Sequence, residues 1–544
     1  MSSPASIGRD APAAAALDAI AIELIRNSFH SICDEMFELV VRSSHSPNIK
    51  ERRDCSCCLY APSGEMVVQA EHIPIHLGTM PQALKAILAE YPAGTMQPGD
   101  AFLVNDPYFG GNHLPDLVIA GPMFLDGVLV GFAASMAHHT DVGGMTPRSM
   151  PASAVEIFQE GLRIPPVRLA EGGRINGDIM RLVALNSRLP AERRTDVQAQ
   201  LSSLHIAQRR IDDMGRRYGA ETLLAAQQAL LSMGEAAMRM RIAALDDRRL
   251  TGASVADFGG DFIPIQVAIY KEAGSLVVDF EGTGAQTRSP FNSCLSNTYA
   301  CVYMALRVVL GDDIPPSQGL YRPLILRVPE GSILNPAYPA AISAATQVSY
   351  HTFEALMRAF APVRPDKVLA DTGGGGVFSF GGLNPRSPGM FVYGEALGGG
   401  GGASATSDGD AGVIPPVANL HDTPVEVLET NIPVRIERYE PVEGSGGAGR
   451  HRGGAGLRRT FRMLAPVRCA FQISMPAKGP GGLQGGGSGR PTRAVVERAD
   501  GTRSAVTRYT ECDVAAGEAV TIETAGGGGF GSPSGSDSAT GNAS

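Results

Sequence analysis

Apolar positions recur at spacings of three and four through "LDAIAIELIRNSFHSICDEMFELVVRSS" (residues 17–44), with no Gly or Pro to interrupt them. That spacing predicts a helix of several turns. "DCSCCLYAPSGEMVVQA" (54–70) reads as strand, "PSG" turn and strand. "GTMPQALKAILAEY" is a short helix, and the chain from Asp100 to His139 is strand-like. From about Asn186 to Leu245 the pattern is strongly helical, in two long segments broken at Tyr218-Gly219. Such a pair forms a natural boundary between an N-terminal and a C-terminal half. "IQVAIYKEAGSLVVDFEGTG" is then a hairpin turning near "EAGS", and "NTYACVYMALRVVL" and "SYHTFEALMRAFAP" are two further helices. Residues 371–410 are glycine-dense, and short strands run from "PVRIERYEPV" to about Glu523.

The expected fold is mixed α/β to α+β. It has a metal-bearing N-terminal half, a helical middle, and a β-rich, glycine-rich C-terminal region. The expected units are an N-terminal α/β region (1–185), a helical segment (186–250), a glycine-rich α/β region (251–420) and a β-rich region (421–530). The Ser/Gly-rich stretch 531–544 lacks apolar anchors and reads as a disordered tail.

Composition narrows the function classes. A chain of 544 residues is expected to fold as several units sharing an extensive core. The net charge of -9, and the lack of any Lys/Arg run of five, argue against nucleic-acid binding. No apolar run of about 18 residues predicts a membrane span. The N-terminus lacks a basic start and a cleavage site, so it reads as a disordered arm and not as a signal peptide. Of the eight cysteines, three crowd at 55, 57 and 58 and the rest scatter, which is no disulfide framework. A reducing cytoplasm is the simplest compartment.

The candidate chemistry lies in "NDPYFGGNHLPDLVIAGPMFLDGVLVGFAASMAHHTDVGG" (105–144), which holds three of the 11 histidines. "LVIAGPMF" and "VLVGFAASM" flank "LDG", so the segment reads as a hairpin whose three-residue loop ends in a left-handed Gly127. In that register Asp116 faces Met136, and Asp116 and His138 are diagonal neighbours on one face, roughly 7–8 Å apart at the backbone. A two-residue loop would shift the register by one and part them. His113 precedes Asp116 in a loop shaped by Gly110, Gly111 and Pro115 and turns towards the same point. Two neutral imidazoles and a carboxylate make a plausible divalent-metal site. Asp106 and His139 are candidates for a further ligand or for a group that orients one. Spacing alone leaves open whether these side chains hold an ion or cap strands and hydrogen-bond one another.

Other residues offer weaker signals. Cys55, Cys57 and Cys58 suit small buried positions better than a zinc site, since neighbours on a strand point to opposite faces. A nucleophilic Cys57 beside Arg52 or Arg53 is the alternative. Glu71, His72 and His76 are either substrate-pocket residues or strand-end hydrogen bonders. Asp141 and Glu160 are candidate catalytic bases, and Arg163 a candidate for binding a substrate carboxylate or phosphate. All three are also ordinary structural ion-pair partners. "GRHRGGAGLRR" reads as a turn between strands or as a phosphate contact.

The motifs "NDPYFGGNHLPDL", "AHHTDVGGMTPRSMP" and "IFQEGLRIPPVRL" resemble the hydantoinase B/oxoprolinase family. "IKERRDCSCCLY", "EHIPIHLGTMP", "TPVEVLE", "SGGAGRHRGGAGLRR" and "AGGGGFGSP" extend the resemblance over nearly the whole chain. The resemblance implies ATP-dependent opening of a hydantoin, oxoproline or lactam ring by a B-type subunit. It implies one divalent metal (zinc, manganese or iron) on His113, Asp116 and His138. Asn112 stands where many members carry Thr. The implied partner is a hydantoinase A-type ATPase that binds ATP and phosphorylates the substrate oxygen, in a hetero-oligomer. Related carboxylases imply ketone carboxylation as an alternative, and a non-catalytic assembly role is a third. No G-x-x-x-x-G-K-[ST] occurs. "ADTGGGGVFSFGG" is similar to an ATPase phosphate loop but reads better as glycines packed around a strand.

Overall fold

The computed structural model describes residues 18–70 and 73–533. Asp18 caps the first helix, its carboxylate accepting from the Ile20 N–H. The helices of the first half are α1 (Ala19–Ser43), α2 (Pro47–Lys50), α3 (His76–Glu90), α4 (Gly177–Leu185), α5 (Pro190–Tyr218) and α6 (Ala220–Ala243). Helix α3 begins two residues earlier than its periodicity suggests, which places His76 in its first turn. The break between α5 and α6 falls at Gly219, whose φ of 77° a side chain would resist.

Seven strands build the N-terminal sheet: β1 (Cys55–Tyr60), β2 (Met66–Gln69), β3 (Ala101–Val104), β4 (Asp116–Leu125), β5 (Val128–His138), β6 (Val167–Glu171) and β7 (Arg174–Ile175). Their order is β2-β1-β5-β4-β3-β6-β7, with antiparallel neighbours throughout. Strand alternation sorts the cysteines. Cys55 and Cys57 pack with Phe29, Cys33 and Met36 of α1 and with Ile211 of α5. Cys58 joins the opposite core with Met80 of α3. All eight cysteines are free. The helical middle therefore lies on the N-terminal sheet and shares its core.

A second sheet runs β11-β10-β9-β8, from β8 (Leu250–Asp257), β9 (Phe262–Glu272), β10 (Ser275–Asp279) and β11 (Leu324–Arg327). Helices α7 (Leu295–Leu310) and α8 (Ala345–Phe360) join it to the first, α8 lying on β8 and α7 on α3. Val118 and Met136 share one core with Val278, Val302 and Phe360, so the two halves are packed together. A third sheet, β13-β12-β16-β19, comprises β12 (Gly374–Leu383), β13 (Met390–Gly398), β16 (Val467–Gln472) and β19 (Thr510–Val514). The fourth is β14-β15-β20-β17-β18, from β14 (Val434–Pro441), β15 (Leu457–Met463), β17 (Arg493–Glu497), β18 (Arg503–Val506) and β20 (Ala519–Glu523). Helix α9 (Val425–Asn431) leads into β14.

The glycine-rich segments do not form surface loops. They lie side by side and bond backbone to backbone: Gly401 N–H to Asp410 O at 2.7 Å, Gly454 to Gly401 at 2.9 Å, Gly527 to Gly454 at 3.0 Å. A Cβ on Gly527 would fall 1.9 Å from Gly401 O, so only glycine permits this spacing. The run at 373–376 is used in the same way. A Cβ on Gly376 would meet Gln472 O at 1.9 Å, and the strand pairs with β13 and β16. In "GRHRGGAGLRR", Arg458 pairs with Glu440 and Glu523, and Arg459 with Glu395, so the last two arginines of the run are taken up by ion pairs. Gly531, expected to open a disordered tail, is held by hydrogen bonds to Leu483 and Arg450, and residues 534–544 lie outside the described residues. No helix among the described residues is long and apolar enough to cross a membrane.

Candidate metal centre

The hairpin closes differently from expectation. Its loop is two residues, Asp126 and Gly127, at φ 49° and 80°. Two left-handed positions in an Asp-Gly pair make the turn that suits strand twist. Leu125 pairs with Val128 and Phe124 with Leu129, but Met123 pairs with Gly131, leaving Val130 as an extra residue. This β-bulge adds a second one-residue shift in the same direction, which brings Asp116 and His138 back onto one face. Asp116 consequently lies directly opposite His138, where a diagonal placement was expected. Gly131 is required there: its φ is 145°, and a Cβ would fall 2.1 Å from Tyr60 O.

His113, Asp116 and His138 converge, with one donor atom from each lying within 4.8 Å of the others. All three are at most 4% exposed. His138 Nδ1 lies 2.9 Å from Asp116 Oδ1, and His113 Nε2 lies 3.5 Å from Oδ2. The carboxylate favours a proton on His138 Nδ1, which leaves Nε2 with a free lone pair. His138 Nε2 and His113 Nδ1 are both buried without a partner. Burial pushes the His113 ring down to about 3, helped by His138 and Arg148 and opposed by Asp116. Burial, followed by the Arg148 and Arg52 charges, holds His138 well below its usual range. Two neutral imidazoles with orphaned lone pairs beside a carboxylate form a donor set that fits one divalent metal. Asn112 completes the setting, its amide donating to Asp116 Oδ2 at 2.6 Å.

Two proposed additions to this set do not hold. His139 points to the other face of the sheet, where Nε2 meets Gln200 Oε1 of α5 at 2.8 Å. Asp106 caps the turn at Tyr108 and pairs with Arg163 at 2.7 Å. The candidate bases are also occupied. Asp141 is fully buried and accepts from the backbones of Gly143, Arg148 and Arg188 and from the Arg188 guanidinium. Glu160 Oε1 accepts from Ile342 and Ser343 N–H at 2.8 and 2.7 Å, and burial pushes its carboxyl up to about 8. Arg163 is tied to Asp106 and Tyr338 and stacked on Phe158, so its charge is spent. His76 is buried against Ser56 Oγ at 2.8 Å, and burial pushes its ring down to about 4. Glu71 and His72 lie outside the described residues. Cys57 is fully buried, and burial pushes its thiol up to about 12, away from the thiolate a nucleophile needs.

The sequence reading missed Asn48, Asp54 and Arg148, and named Arg52 only as a neighbour of Cys57. Asn48 Nδ2 donates to His138 O at 3.1 Å and lies 3.4 Å from Asp54 Oδ2. Burial and the Asp116 charge raise Asp54 to about 7. Arg52 Nη1 donates to Asn48 Oδ1 at 3.2 Å. "IKERRD" and "TPRSMP" were legible only as family-like motifs, because no local period signals that two distant arginines meet.

A buried His-Asp-His cluster on an antiparallel sheet, closed over by the second half of the chain, places this protein among mixed α/β proteins with a candidate metal centre. The chain belongs to the hydantoinase B/oxoprolinase family, whose model matches residues 18–533. It is 30% identical over 552 residues to a 5-oxoprolinase of Pestalotiopsis fici, covering 97% of this chain and 42% of that protein. The chain thus spans about two fifths of the length of that curated relative. The putative B component of a D-/L-hydantoinase from a Pseudomonas species is 30% identical, with 87% of this chain and 83% of that protein aligned. The crystal structure of ATP-dependent caprolactamase from Pseudomonas jessenii superposes with a TM-score of 0.86 at 26% identity, over 95% of this chain and 92% of that one.

Proposed function

We propose that this chain is the B-type subunit of an ATP-dependent cyclic-amide hydrolase that opens a hydantoin, oxoproline or lactam ring. The observation that carries this reading is the buried His113–Asp116–His138 cluster with an unpartnered nitrogen on each ring. Family membership and the names of the relatives support the reaction class. A ring amide is resonance-stabilised, so phosphorylation of its oxygen by an A-type partner makes attack feasible. The lack of a G-x-x-x-x-G-K-[ST] motif in this sequence and the packed glycines at 373–376 support a reading in which ATP binds the partner. The two chains would then form a hetero-oligomer.

In this reading His113, Asp116 and His138 hold the divalent ion, zinc, manganese or iron. Such an ion supplies a Lewis acid and an activated water at neutral pH. Asp116 orients His138 and fixes its tautomer, and Asn112 in turn orients Asp116. Enclosure by both halves of the chain keeps bulk water from the cluster, which strengthens every charge interaction inside it.

The test is co-expression with a matching A-type partner. The complex should couple ATP hydrolysis to ring opening, and neither chain should do so alone. His138→Ala should sharply reduce the divalent metal found by elemental analysis, spare the partner's phosphorylation step and block product formation. Full ATP-dependent turnover by this chain alone overturns the reading. Loss of assembly with the metal, at unchanged turnover per intact complex, would assign the ion to scaffolding.

A further inference from the structure

Four arginines among the described residues are buried: Arg52, Arg148, Arg193 and Arg459. Arg193 pairs with Glu192 and Asp196, and Arg459 with Glu395 at 2.9 Å. Arg52 (0% exposed) and Arg148 (3%) have no ion pair among the described residues. Arg52 Nη2 and Arg148 Nη1 are buried with no hydrogen-bond partner at all. A buried cation without a counter-ion costs several kcal/mol, and two near each other cost more.

The two side chains come to one place from distant parts of the sequence. Arg52 Nη1 donates to Gly394 O of β13 at 3.2 Å. The Arg148 side chain crosses the same glycine, and a Cβ there would fall 2.1 Å from Arg148 Cδ. The spot adjoins the metal cluster: Arg52 Nη1 donates to Asn48 Oδ1, and Asn48 Nδ2 donates to the His138 carbonyl. Arg148 is held in a left-handed conformation at φ 74°, with its N–H on Asp141 Oδ2 at 3.1 Å. Backbone strain at a non-glycine residue persists where the surroundings enforce it. Asp141, read from sequence as a base, is here the group that positions Arg148.

Neighbouring carboxyls do not neutralise the pair. Glu395 is taken by Arg459 and by the Tyr393 hydroxyl. Asp54, 3.4 Å from Asn48, attracts both guanidiniums through space but forms no ion pair with either. A divalent ion on His113, Asp116 and His138 would add positive charge.

We propose that Arg52 and Arg148 form a buried receptor for one oxyanion of the substrate, bound beside the metal cluster through the free Nη groups. This deepens the function proposed above and rests on it for the identity of the substrate. The oxyanion is either the phosphoryl group installed on the amide oxygen or a substrate carboxylate. Guanidinium forks suit both.

The receptor is tested by calorimetric titration of the full metal-loaded chain with orthophosphate and, separately, with acetate. Orthophosphate should bind, and acetate should bind more weakly if the phosphoryl group is the natural occupant. Binding of acetate alone assigns the site to a carboxylate. Arg148→Asn, a residue that tolerates the left-handed backbone, should weaken binding by about thirty-fold or more at unchanged metal content, the loss of one charge-assisted contact. Arg52→Lys keeps the charge but not the fork and should weaken binding less. If Arg148→Asn fails to fold, Arg52→Lys and the wild-type titration still decide. Absence of binding of both anions by the wild type, or equal affinity in the folded variants, overturns the receptor. The two proposals fail separately. Anion binding lost in the variants, in a complex that opens no ring, removes the function and keeps the receptor. Active ring opening with variant-insensitive binding does the reverse.

Discussion

Glu160→Gln separates a structural carboxyl from a catalytic one, and the expected result follows from its surroundings. Glu160 is 1% exposed and joins the segment after the metal hairpin to residues 342–343 through two backbone N–H groups on Oε1. Its Oε2 has no partner. Burial raises the carboxyl from 4.5 to about 8, against the lowering effect of those two N–H bonds. Between these values the folded chain holds a proton that the unfolded chain has released. The stability contribution is therefore complete below 4.5 and is lost as pH rises through about 8. The slope is at most about 1.4 kcal/mol per pH unit, so Glu160 removes on the order of 3 kcal/mol between about pH 5 and 8. Glutamine is an isostere of the protonated form and keeps the Oε1 acceptor, without the titration. At roughly 2 cal/mol/K of unfolding entropy per residue, 3 kcal/mol is about 3 °C for a single cooperative unit of this length, and more for a smaller one. Melting curves at about pH 4, 6 and 8.5 should show nearly equal midpoints at the acid end and a growing advantage for the variant towards the alkaline end. An offset independent of pH, or a less stable variant at the alkaline end, refutes the argument. A general base would reveal itself instead by a turnover loss of about a hundred-fold or more in the partnered enzyme.

Two further predictions test how the hairpin builds the site. His139→Ala should retain the metal that His138→Ala loses, while lowering stability by about 1–3 kcal/mol through the abandoned Gln200 amide. Metal loss in His139→Ala, by elemental analysis, would return His139 to the ligand set. Gly131→Ala should cost about 3 kcal/mol, since its Cβ must open the ladder to β1 and hold a strained φ. A melting temperature within about a degree of wild type would mean that the bulge is not where Val130 and Gly131 place it.

The sequence by itself determined most elements, because each rests on local periodicity: α1 on its three-and-four spacing, α5 and α6 on theirs, the β9–β10 hairpin on its turn. It also singled out His113, Asp116 and His138, since ligand-type residues are conspicuous in apolar strands. Tertiary structure decided how they meet. The register depended on one extra residue at Val130, and a bulge has no signature in the hydrophobic alternation around it. Strand alternation sent His139 to the opposite face from His138, where Gln200 of α5 waits 61 residues away in sequence. The glycine-dense segments looked like loops, because composition reports conformational freedom and not which backbones approach to within a Cβ's radius. Arg52, Arg148 and Gly394 are ordinary residues in their local contexts. Only the packing of β13 against Arg52 and the segment around Arg148 brings two buried cations together without an ion-pair partner. Burial and long-range pairing set charge state, and neither is a property of a short stretch of chain.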